Sequence, residues 1–162
     1  MTVLNCAEIK QSQLQQLLGK YRLIIQPVEN HQTIPGSWFG DPEAGIIKNN
    51  LYIRNDTPVH SALHESCHYV CMDEKRRATL HTNAGGDYDE ENAVLYLSIL
   101  LSDFIPGFGR QRMMRDMDAW GYTFRLGSSQ AWFEQDAEDA RDWLRQFHII
   151  DNNDKISWNI RR

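Results

Sequence analysis

Cysteine is scarce in this chain. There are 3 in 162 residues, an odd number, and Cys67 and Cys71 stand four residues apart. That is not the even set of a disulfide framework, and it fits a reducing compartment. No apolar run approaches the roughly 20 residues that cross a bilayer, and Met1 to Glu8 lack the basic-then-apolar pattern of a secretory leader. The expectation is a cytoplasmic protein with no membrane partner. Basic charge is short as well, with 17 Lys+Arg against 22 Asp+Glu and a net charge of -5. Affinity for phosphate backbones is built from Lys and Arg, so the composition argues against a nucleic-acid partner. Internal repeats and low-complexity linkers are missing too, which leaves a single domain over 1–162.

What is present is an ordinary globular composition, 41% hydrophobic and 24% charged. The charge is unevenly placed. Residues 61–108 hold 3 basic and 8 acidic residues, whereas 1–60 hold 5 of each and 109–162 hold 9 of each. The whole imbalance lies in the middle third, either as solvated surface or as something that binds a cation.

Ile9, Leu14, Leu17 and Leu18 share a stripe with Tyr21 that predicts an amphipathic helix over 7–18. Leu23-Ile24-Ile25 predict a strand over 22–28 that Pro27 stops, and two more short apolar runs flank Asn49-Asn50, a plausible two-residue hairpin turn. Thr57-Pro58 reads as a helix start with Thr57 as the cap, giving a helix over 58–72. Polar residues 73–86 read as a loop ending in Gly85-Gly86. Ala93, Leu97, Leu100 and Leu101 predict a helix over 88–103, and Pro106-Gly107 end it. Met113, Met117 and Trp120 form one stripe of packing residues before Gly121, and Phe133 to Phe147 predict one long helix over 129–147. Helix, strands, then helices indicate an α+β fold with a small, mostly antiparallel sheet, a core over about 22–105 and a helical extension over about 109–150.

The helix after Pro58 contains His64-Glu65-Ser66-Cys67-His68, an H-E-x-x-H sequence. At 3.6 residues per turn, His64 and His68 project from one face and can reach a single ion, while Glu65 is turned aside as a candidate general base for a water held by that ion. A catalytic zinc needs a third protein ligand. The metzincin spacing would need Gly at position 71 and a ligand at 74, where the sequence has Cys71 and Glu74. His81 is another option. The third is a carboxylate from the next helix, Glu90 or Glu91. Counting by threes and fours from Glu90 runs through Ala93, Val94, Leu97 and Leu101, the more apolar face, which favours Glu90. Asp87-Tyr88-Asp89-Glu90 also has the spacing of a capping box, in which Glu90 would bond backbone instead.

These residues resemble the compact gluzincin metallopeptidases, nearest to the ImmA/IrrE-type group, whose zinc glutamate opens a helix reading E-x-x-A-N-x-F-A-x-x-L-L. Glu90, Ala93, Tyr96, Leu97, Leu100 and Leu101 occupy corresponding positions, with Val94 in place of the asparagine. The resemblance covers about 45–105. It implies a zincin-like (minigluzincin) fold and one Zn2+ per chain on His64, His68 and Glu90. It also implies Glu65 as general base and hydrolysis of a peptide or protein substrate that pairs with an edge strand. The alternative is a zinc-binding regulatory or scaffold protein without peptidase activity. Tyr52, Tyr88, Tyr96, Tyr122, Arg110 and Arg112 are candidate oxyanion donors. His60 reads as a surface or helix-start histidine, Cys67 and Cys71 as buried apolar residues, and Trp38-Phe39 as core or as the edge of a cleft.

Overall fold

A computed structural model describes residues 2–162 and has, within them, the α+β architecture expected, with seven α-helices and one three-stranded sheet. The chain enters through a short 3-10 turn, Cys6–Glu8, closed by the Glu8 carboxylate accepting from the Asn5 amide at 2.8 Å. Helix α1 (Gln11–Gly19) follows, shorter than the apolar stripe predicts because that turn takes up its first residues. Strands β1 (Ile24–Pro27), β2 (Gly45–Ile47) and β3 (Asn50–Ile53) lie in the order β1-β3-β2.

The sheet is mixed rather than mostly antiparallel, since β1 runs parallel to β3 while β2 and β3 form a hairpin. The hairpin turn is Lys48-Asn49, one residue earlier than Asn49-Asn50, because Ile47 pairs with Asn50 and Lys48 takes the positive φ of 52°. Both outer edges of the sheet are closed by the chain itself. On β1, the Gln15 side chain donates to the Leu23 carbonyl and accepts from the Ile25 amide. On β2, Ile46 donates to the Gly36 carbonyl and accepts from the Thr82 amide, and Lys48 donates to the Leu80 carbonyl.

Helix α2 (Val59–Cys71) carries the H-E-x-x-H sequence and is buried along its whole length. Its cap differs from expectation. Pro58 occupies the cap position, and the Thr57 hydroxyl accepts from the Arg54 amide at 2.9 Å instead of capping the helix. Residues 73–86 are not all loop, since Asp73 accepts from the Arg76 amide and starts the short helix α3 (Glu74–Ala78). Helix α4 (Tyr88–Ser102) packs on α2 and is followed by α5 (Arg110–Trp120). The predicted last helix is two, α6 (Ser129–Gln135) and α7 (Glu138–Gln146), broken at Asp136-Ala137, where Asp136 pairs with Arg125. One continuous apolar cluster runs from Cys6 to Ile150, so the C-terminal helices share the core of the sheet and α2. None of the described helices is long and apolar enough to cross a membrane.

Candidate metal centre

Position i and i+4 on α2 set the two histidine rings side by side, their Nε2 atoms 3.0 Å apart. The third group is Glu91. Its Oε1 lies 3.0 Å from His64 Nε2 and its Oε2 lies 3.1 Å from His68 Nε2. The expectation that Glu90 joins the histidines is corrected here. Glu90, 3% exposed, is turned to the other side of α4, where Arg76 binds both its oxygens at 2.8 Å and Arg161 binds Oε1 at 3.0 Å. The capping box is half realised: Asp87 caps the Glu90 amide at 2.9 Å, but the Glu90 carboxylate goes to the arginines rather than to the backbone of Asp87. Glu74 opens α3 and His81 bonds Thr82, so neither reaches the histidines.

Gly85-Gly86, both at positive φ, make the turn that leads into α4 where it packs against α2. Gly86 has φ of 98°, and a Cβ there would stand 2.4 Å from Glu90 Oε2. Glycine is thus required twice, by the backbone angle and by the carboxylate beside it.

Two imidazole nitrogens that face each other at this distance must share a proton or share a cation. Atoms each about 2.0–2.1 Å from one tetrahedral zinc ion lie about 3.3 Å apart, close to the spacings found between these three donors. Among the described residues, His64, His68 and Glu91 form a group that could hold a metal ion, and two imidazoles with one carboxylate are a donor set suited to zinc. Burial disfavours the charged form of Glu91, yet its hydrogen bonds to His64 and His68 outweigh that and hold the carboxyl below the usual range.

Glu65 is 5% exposed, and burial pushes its carboxyl up to about 7, with His64 opposing and the Glu43 and Glu91 carboxylates adding to the rise. It lines a cavity of about 180 Å³ with His64, His68, Glu91, Trp38 and Phe39. Trp38 and Phe39 are 58% and 64% exposed, so they edge the cleft rather than pack in the core. Residues 82–85 complete the lining.

Of the candidate oxyanion donors, Tyr122 comes nearest, its hydroxyl 3.1 Å from His64 Nδ1 and 3.4 Å from His60 Nδ1. Gly121, with φ of 113°, ends α5 and turns Tyr122 back onto α2. Tyr96 stacks on Phe133 in the core, Arg110 pairs with Asp103, and Arg112 pairs with Asp116. Tyr88 is exposed one turn ahead of Glu91, and Tyr52 is half-buried in β3. His60, expected at the surface or at the helix start, is in the first turn of α2 but wholly buried, and burial lowers its pKa to about 4, helped by His64 and opposed by Asp116. Cys67 and Cys71 are fully buried thiols, as expected of small apolar residues, and burial raises both far above the usual range. Comparison with protein-family models, with curated proteins and with solved structures finds no match to this chain.

Proposed function

We propose that this chain is a zinc-dependent hydrolase of zincin-like fold, most simply a peptidase, holding one ion on His64, His68 and Glu91 with Glu65 as general base. The observation that carries the reading is the Glu91 carboxylate spanning both histidine Nε2 atoms while a different carboxylate, the buried Glu65, lines the same cavity. A purely structural zinc site has no use for a general base. A bound zinc ion would supply Lewis-acid polarisation of a carbonyl and a water acidified toward neutral pH. Glu65, buried in the wall of the same cavity, is placed to take a proton from the attacking water and return it to the leaving amine. Trp38 and Phe39 offer an apolar surface to a substrate side chain at the cavity mouth. The peptide bond as target follows from the resemblance of α2 and α4 to the compact gluzincins, with the glutamate one residue later than that alignment gives. A cytoplasmic location fits three buried free cysteines.

The closed outer edge of β2 favours a second reading, a zinc-binding regulatory or scaffold protein of the same fold, because an extended peptide finds no open strand to pair with there. Zinc stoichiometry and proteolysis separate the readings. About one zinc is expected in wild type and in Glu65→Gln, and none in His64→Ala. A full complement in His64→Ala would sink the site. Cleavage by wild type and not by Glu65→Gln establishes the peptidase, whereas zinc without cleavage of a broad peptide library supports the scaffold.

A further inference from the structure

A histidine that holds an ion through Nε2 carries its own proton on Nδ1, and the partner of that N–H fixes the ring. In His64 the partner is the Tyr122 hydroxyl at 3.1 Å. Once that oxygen accepts from His64, the Tyr122 proton needs an acceptor of its own. His60 Nδ1 stands 3.4 Å away.

His60 is an unusual choice for its position. It is fully buried, it packs edge-on against Trp120 and Tyr122, and its Nε2 has no hydrogen-bond partner among the described residues. A neutral imidazole has one donor and one acceptor, so when Nδ1 accepts, the proton must sit on the orphaned Nε2. An apolar side chain would fill the same space without burying an unpartnered donor.

The direction of the chain depends on the ion. With none bound, a proton on His64 Nε2 can face Glu91 and His68, Nδ1 accepts from Tyr122, and the Tyr122 oxygen in turn accepts from His60 Nδ1–H, which leaves His60 Nε2 an unpartnered acceptor. With the ion on Nε2 every donor reverses, and His60 becomes the acceptor at the end of the line. Among the described residues the second ligand has no equivalent support, since His68 Nδ1 is buried without a partner there.

We propose that Tyr122 and His60 are positioning residues for the metal centre, Tyr122 accepting from His64 Nδ1–H and donating to His60 Nδ1. His60, which touches no ligand atom, thereby sets how tightly the ion is held. The inference rests on the reading of His64 as a ligand.

The test measures zinc affinity of the full chain by competition with a chromophoric chelator, alongside thermal unfolding in EDTA. Tyr122→Phe and His60→Leu should each bind zinc about 10–100-fold more weakly than wild type. His60→Asn, whose amide oxygen can stand where Nδ1 stands, should recover most of the loss. The metal-free midpoint of His60→Leu should stay at or above that of wild type, which a merely structural role would not allow. Cobalt-loaded Tyr122→Phe should show a shifted visible spectrum. If His60→Leu does not fold, Tyr122→Phe and His60→Asn carry the test. An affinity of Tyr122→Phe within twofold of wild type overturns the relay and leaves the metal centre standing. Wild-type protein that takes up no zinc overturns both.

Discussion

Glu90 and Glu91 are adjacent on α4 and serve different structures: Glu91 bridges His64 and His68, while Glu90 is locked between Arg76 and Arg161. Matched substitutions should therefore separate metal binding from stability. Glu91→Gln is expected to lose zinc and keep its fold. Glu90→Gln should keep zinc but lose about 3 kcal/mol of stability, the lower end for breaking a buried ion pair because both arginines are partly exposed. Zinc content and denaturant midpoints check this, and zinc loss in Glu90→Gln alone would return the ligand to Glu90.

The buried Glu65 carboxyl makes the metal-free protein pH-sensitive. Its folded pKa of about 7 lies above the ordinary 4.5, so folding takes up a proton between those values. The cost of burying the charge is absent below about pH 4.5, grows as pH rises, and is complete above about pH 7 at about 3 kcal/mol. In EDTA, Glu65→Gln should match wild type at pH 4.5 and melt higher at pH 8. Equal midpoints at both pH values would remove the buried charge from the account. Zinc should shrink the difference, because the ion's charge favours the carboxylate.

Gly86 and Gly107 both have positive φ, but only Gly86 has a side chain in the way. Gly107→Ala should cost about 1 kcal/mol from backbone strain alone. Gly86→Ala should cost more and loosen the Arg76–Glu90 pair. Equal losses on chemical denaturation would mean that the close approach to Glu90 is easily relieved.

Trp38 and Phe39 are too exposed to contribute much to the core. Trp38→Ala with Phe39→Ala should leave zinc content and melting temperature unchanged. If the chain is a hydrolase, kcat/KM should fall several-fold for substrates with a large apolar side chain and stay level for those without. A uniform fall across substrates would place the pair outside substrate selection.

The sequence made α2 and α4 readable to within a residue or two, because the breakers Pro58 and Pro106-Gly107 and the H-E-x-x-H spacing are local signals, even though Thr57 does not cap α2. The choice between Glu90 and Glu91 was not readable from the apolar stripe. Helix α4 is buried on nearly every side, with Leu95, Ser98, Ile99 and Ser102 inside as well as Ala93, Val94 and Leu97. No single face marks the core, so periodicity has nothing to choose between. The partners that claim Glu90 come from a helix hidden in an apparent loop and from a tail 71 residues downstream. The break between α6 and α7 escaped for a related reason: the apolar stripe runs through Ala137, where the backbone leaves the helix.

The ties at the rims of the sheet also govern how copies of this chain meet one another. A three-stranded sheet with bare margins would template intermolecular pairing. Here the Gln15 amide stands in for a fourth strand on one side, and the residues leading into α4 do so on the other. Gln15→Ala should therefore bare one margin of the sheet and favour pairing between copies.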